Sequence, residues 1–142
     1  MIDSRGPADL TAHRVAAKTY TVRNHAGAEL RIGMHGSPDA FSPVELLQAA
    51  VAGCAALSAE AQLATTLGDA FAASVTVAGV HDPGDNRLTR LVATLEADMA
   101  ELDAAARERL VARAERFIGS LCTVKRTLAH GVETTTEVHD RT

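Results

Sequence analysis

The stretch from Pro43 to Leu67 constrains the chain most. Leu46, Leu47, Ala50, Val51, Cys54 and Leu57 recur at three- and four-residue steps, while Ala49, Ala52 and Ala55 fill most of the remaining surface. Ser42 followed by Pro43 supplies an N-cap and a first-turn proline, and Gly68 supplies a stop. The spacing therefore predicts a helix over 43–67. Its first half is apolar nearly all round, which requires cover on several sides. The charge-free part that begins at Leu46 ends before Glu60, short of the ~18 residues of a membrane span, so a buried helix and no membrane partner are expected.

Strand signals flank this helix. Residues 13–24 are rich in Val, Thr and Tyr, and beyond His25-Ala-Gly the residues Leu30, Ile32 and Met34 alternate with Glu29, Arg31 and Gly33, which predicts a β-hairpin. A second hairpin is expected from 72–81 and 88–99 around Asp82-Pro-Gly-Asp-Asn, with one face buried and the other solvated. Asp103 then caps a helix whose inward stripe is Ala106, Leu110, Ala114, Phe117, Ile118 and Leu121. A short helix over 124–130, ended by Gly131, leads to a last strand in which Val132, Thr134, Thr136 and Val138 share a face. Hairpins separated by helices indicate an α+β fold, and the length of 142 residues suits a single domain over 1–142.

Hydrophobic residues make up 46% but aromatics only 3%, so the core must come from Leu, Val, Ile and closely approaching small residues. A net charge of −4 gives no electrostatic reason for a nucleic-acid partner. The first ten residues carry Asp3 and Asp9 and no apolar signal segment, which leads to the expectation of a cytoplasmic protein. The six histidines are scattered without metal-ligand spacing, and no glycine-rich phosphate loop occurs, so neither metal nor cofactor is expected.

The two cysteines remain as the carriers of chemistry. Cys54 stands in the small-residue helix, where a thiol is either a small buried hydrophobe or a reactive group. Cys122 opens the short helix just ahead of Lys125 and Arg126, where backbone N–H groups and cations favour a thiolate.

Two segments carry a resemblance. Ser42-Pro43-x-Glu45-Leu46-Leu47 with the alanine-rich run into Ala52-Gly53-Cys54, and later Cys122-x-Val-x-Arg-Thr-Leu-Ala-x-Gly-Val-Glu133, are similar to the cysteine-bearing segments of the OsmC and organic-hydroperoxide-resistance family. The resemblance implies an OsmC-like fold, with antiparallel sheets around a central apolar helix, and an intertwined homodimer. It also implies a thiol peroxidase: Cys54 attacks a hydroperoxide, often an organic one, and becomes a sulfenic acid. Cys122 resolves that acid to a disulfide, and a dithiol such as dihydrolipoamide restores the thiols. An arginine, Arg23 or Arg31 here, together with Glu45 would tune Cys54.

One departure from the family pattern concerns that tuning. In peroxidase members a glutamate directly follows the helix-start proline, whereas here Val44 holds that place and the acid comes at Glu45. A shift of one residue turns a helical side chain by about 100°. The rival reading is a non-enzymatic protein of the same fold that binds a small hydrophobic or thiol-reactive ligand, with the cysteines acting in packing or as a redox sensor. A thiol-based sulfur or acyl carrier is a third.

Overall fold

The computed structural model describes residues 6–142, whose contacts gather into two compact units, one up to Leu47 and the other Gln48–Thr142.

In the first unit, β1 (Ala12–Ala16), β2 (Thr19–Arg23) and β3 (Glu29–Ile32) form an antiparallel sheet in the order β1-β2-β3. The sequence reading made one strand of residues 13–24. The chain instead folds back at Ala17 and Lys18, so that His13 pairs with Thr21 and Arg14 with Tyr20. Lys18 takes the left-handed conformation, with φ 52, without a Gly or Asn to announce it. The Thr19 hydroxyl donates to the Ala17 carbonyl at 2.9 Å across the turn.

The next turn carries its signal openly. Asn24 Oδ1 accepts from the N–H groups of Ala26 and Ala28 at 3.1 and 2.9 Å, and Gly27 has φ 93. After β3 the chain closes a loop in which Phe41 N–H donates to the Arg31 carbonyl and Gly33 N–H to the Phe41 carbonyl, both at 2.9 Å.

That closure delivers Ser42 to the start of α1 (Pro43–Leu67). The Glu45 N–H donates to Ser42 Oγ at 3.1 Å and the Ser42 N–H donates to Glu45 Oε1 at 3.0 Å, a reciprocal capping box that satisfies two amides otherwise left without partners.

The second unit holds the rest of α1, the hairpin of β4 (Ala73–Asp82) and β5 (Arg87–Ala97), then α2 (Ala104–Leu121) and α3 (Thr123–His130). Its core is Ala59 and Leu63 of α1 against Leu110 and Ala114 of α2, with Leu95, Ala97 and Met99 packed beside them. Burying each leucine contributes about 1.5–3 kcal/mol. The Gln48 side chain donates to the Val77 carbonyl at 3.0 Å, tying α1 to β4. Asp103 caps α2, accepting from the Ala106 N–H at 2.8 Å. Leu121, placed by the sequence reading on the inward stripe of α2, is 56% exposed instead.

Two further expectations are corrected. Val51, Ala55, Ala59 and Leu63 form one buried i, i+4 stripe along α1, while Leu57 is 75% exposed, so the helix is covered along one side rather than several. By length and composition alone α1, with 25 residues, is long and apolar enough to cross a membrane, which the charge-free run from Leu46 did not indicate. Its buried stripe packs on α2, as in the core helix of a folded domain.

The second correction is the last strand. Residues 131–142 form no strand, and Val132 and Val138 are 66% and 95% exposed. Alternation supplies two faces, but a strand also needs an open edge to pair with, and among the described residues none takes this segment.

Candidate active site

The chain breaks between α2 and α3 at Cys122, which is extended at φ −72 and ψ 94. Its N–H donates to the Ile118 carbonyl, ending α2, and its carbonyl accepts from the Arg126 N–H, opening α3, both at 3.0 Å. One residue thus serves two helices. Its side chain does not cap α3, which leaves the first-turn N–H groups of that helix for another acceptor.

The Cys54 thiol of α1 lies in the field of those amides. Burial works against its ionisation, but the N–H of Val124, the Cys122 thiol and the N–H of Thr123 outweigh burial and hold the Cys54 thiol below its ordinary range. Ser58 stands one turn on and also favours the thiolate. Its proton is already engaged with the Cys54 carbonyl at 2.6 Å, so the α3 amides and Cys122 are assigned the larger part.

Cys122 responds in the opposite sense. Burial and the neighbouring Cys54 thiolate push it up, partly offset by the N–H and ammonium of Lys125. Cys122 is 1% exposed, whereas Cys54 is only partly buried and flanked on α1 by exposed Ala50, Gly53 and Leu57. Cys54 is the more approachable sulfur and the more easily ionised, and Cys122 is the buried one.

The other residues expected at the site, Glu45, Arg23 and Arg31, belong to the first unit. The Glu45 carboxylate is held below its usual range by the Ser42 N–H and hydroxyl, as a helix cap. Arg23 pairs with Glu29 across β2 and β3, its Nε 3.1 Å from Glu29 Oε2, with both side chains largely exposed. Arg31 is exposed on β3, opposite Thr21. Within the second unit, the groups that favour the Cys54 thiolate come from α3, Cys122 and Ser58. Sequence reasoning assigned the amide field of α3 to Cys122 alone, whereas the Lys125 N–H acts on Cys122 and the Thr123 and Val124 N–H groups act on Cys54. The clue available was Ser58, one helical turn beyond Cys54 on the same face.

Behind Cys122 lies a cleft of about 680 Å³. Val51 and Ala55 of α1, Leu91 and Leu95 of β5, and Val111 and Ile118 of α2 supply aliphatic wall, and Cys122 closes part of it. Arg90, Glu115 and Lys125 are the charged residues of the lining, which sequence reasoning did not single out together. Among the described residues no group of three or more His, Cys, Asp or Glu stands together to hold a metal ion.

These features define an α+β protein with a paired-thiol site at a helix junction. A profile of the family described as OsmC-like protein matches residues 35–137, and the chain belongs to that family. An uncharacterized protein of Mycobacterium tuberculosis is 34% identical over 131 residues, covering 92% of this chain and 96% of that relative. Among solved structures, an OsmC-like protein from Mycoplasma pneumoniae superposes with a TM-score of 0.65 at 15% identity, covering 87% of this chain and 88% of its own. The organic hydroperoxide resistance protein OhrB of Bacillus subtilis gives 0.54 at 21% identity, covering 87% and 92%. At such identities these two likenesses describe the fold, which agrees with the α+β arrangement and central helix expected from sequence.

Proposed function

We propose that the chain is a two-cysteine thiol peroxidase acting on organic hydroperoxides. The observation that carries this reading is a partly exposed Cys54 neighbouring a buried Cys122, both free, with surroundings that favour the thiolate on Cys54 and oppose it on Cys122. The Cys54 thiolate attacks the outer peroxide oxygen, the O–O bond breaks, and the departing alkoxide takes a proton to become an alcohol. Cys54 is left as a sulfenic acid. Cys122, losing its proton, attacks that sulfur, and the sulfenic oxygen leaves as water. The resulting disulfide is returned to two thiols by a dithiol, itself oxidised to a disulfide. A resolving thiol in contact captures the sulfenic acid before a second peroxide over-oxidises it.

The exposed apolar side of α1, with Leu57 at its centre, supports a homodimer that covers the helix on its second side. The proposed setting is the cytoplasm, where a reducing thiol pool would regenerate the enzyme. The family's acid and arginine are not needed in this scheme, because the α3 amides supply the positive field that lowers a thiol pKa.

The test is to mix reduced protein with cumene hydroperoxide and count free thiols. The expected result is loss of both thiols in the natural protein and none in Cys54→Ser. Retention of thiols by the natural protein, or equal loss in Cys54→Ser, overturns the reading. A second reading is favoured by the aliphatic cleft: a binding protein of the same fold for a small hydrophobic ligand. That alternative predicts ligand retention after both cysteines are replaced by serine, together with no catalytic peroxide turnover.

A further inference from the structure

Helix α1 carries a hydroxyl that its backbone does not need. Ser58 Oγ donates to the Cys54 carbonyl at 2.6 Å. That carbonyl lies inside the continuous helix Pro43–Leu67 and already accepts the Ser58 N–H as its ladder partner. A bond back to the carbonyl four residues earlier is an ordinary resting place for a helical hydroxyl. Thr65 donates to Ala61 and Ser120 to Arg116 in the same way, at 2.7 and 3.2 Å. Of these three, only Ser58 has a sulfur on the residue whose carbonyl it uses.

Helix geometry brings this hydroxyl to that sulfur. Residues four apart share a face with their Cβ atoms roughly 5–6 Å apart. Each Cα–Cβ bond tilts toward the helix N-terminus, so the Ser58 side chain reaches back over Cys54. Both residues are half-buried, which limits the water competing for the sulfur, and the hydroxyl is one of the groups that favour the Cys54 thiolate. A turn from carbonyl to sulfur leaves the carbonyl its backbone partner, so no polar group is orphaned. We propose that the Ser58 hydroxyl is a movable donor: it rests on the Cys54 carbonyl beside the neutral thiol, passes to Cys54 Sγ when that sulfur is charged, and passes to the oxygen that the sulfur acquires on oxidation. The first move concerns the thiol alone, and the second rests on the peroxidase reading.

The second move serves the resolving step. Cys122 Sγ bonds to Cys54 Sγ, the Cys54 S–O bond breaks, and the electron pair leaves on oxygen, which takes up the proton released by Cys122 and departs as water. Negative charge builds on that oxygen as the bond lengthens. A hydroxyl already donating to it stabilises the departing group and remains a hydroxyl throughout. One donor thus serves carbonyl, sulfur and oxygen in turn, without ionising at any stage.

The experiment compares Ser58→Ala, which removes the donor, with Ser58→Thr, which keeps a hydroxyl able to bond back in a helix. Cys122 is the titratable neighbour of Cys54, Lys125 acts on Cys122 in turn, and every variant retains both. Reduced protein is alkylated with iodoacetamide across pH and read peptide by peptide. Ser58→Ala is expected to show a raised Cys54 midpoint and labelling roughly twofold to tenfold slower at neutral pH, with the Cys122 profile unmoved and Ser58→Thr restored to natural behaviour. With one equivalent of cumene hydroperoxide and dimedone present, Ser58→Ala is expected to carry more dimedone on Cys54 and to form the Cys54–Cys122 disulfide more slowly. An unchanged Cys54 profile, a Cys122 profile that moves with it, no restoration by threonine, or an unchanged division between dimedone adduct and disulfide overturns the proposal. A Cys54 profile that shifts as expected in a protein that leaves the hydroperoxide unconsumed overturns the peroxidase reading and upholds the first move.

Discussion

Cys54, in the middle of α1, and Cys122, between α2 and α3, are neighbours, and the N–H groups of Thr123 and Val124 favour the charge on Cys54 while that of Lys125 favours it on Cys122. The two thiols therefore part in acidity by position, with the more approachable one the more easily ionised.

Alkylation rates across pH read this difference. In the natural protein Cys54 is expected to react with iodoacetamide with a midpoint below the ordinary thiol range, and Cys122 with a midpoint above it. In Cys122→Ala the Cys54 midpoint rises, because one favourable partner of its thiolate is gone. Peptide-resolved labelling checks it, and a common midpoint or a reversed order contradicts the assignment.

The capping box gives a stability prediction with a definite pH sense. Ser42→Ala removes a side-chain partner of the Glu45 amide and is expected to destabilise the protein by roughly 0.5–2 kcal/mol. Glu45 has a folded pKa below its unfolded one, so its contribution is fully present above the unfolded value and fades as pH falls through the folded one. Glu45→Gln should lower stability at neutral pH and converge with the natural protein in acid. Denaturant titrations at several pH values measure it.

Core packing is tested by Leu110→Ala, in which a side chain only 2% exposed is cut back between α1 and α2. The expected loss is about 2–5 kcal/mol, with the upper end applying if the alanines of α1 cannot collapse into the space. A loss under ~1 kcal/mol would mean that the two helices are not packed as described.

The exposed side of α1 makes a prediction about assembly. Leu57→Asp places a charge in the middle of the apolar patch and is expected to shift the protein from dimer to monomer in sedimentation equilibrium, with little effect on the fold of the second unit. An unchanged dimer excludes this face as the interface.

Much of this was legible from residues alone, and the failures share a cause. The helix over 43–67, its capping residues, the 73–97 hairpin and the Asp103 cap follow from local rules, since Ser42, Pro43, Gly68, Asp82 and Asp103 each act within a turn of themselves. The fold-back at Lys18 was hidden because a lysine holds a positive φ there. The last strand failed because pairing is a property of two segments, and Val132 to Val138 supplies one. At the site, the cysteines were found by type and by resemblance, but the groups that tune Cys54 are backbone amides, which leave no trace in residue identity. Arg23 pairs with its cross-strand neighbour Glu29, a partner that residue type alone does not announce.

The most direct test of the central claim is non-reducing peptide mapping after one equivalent of cumene hydroperoxide. The account predicts a single linked peptide joining Cys54 to Cys122, formed in proportion to the peroxide consumed and abolished by either serine replacement. Peroxide left unconsumed, or consumed with both cysteines still open to alkylation, would contradict it.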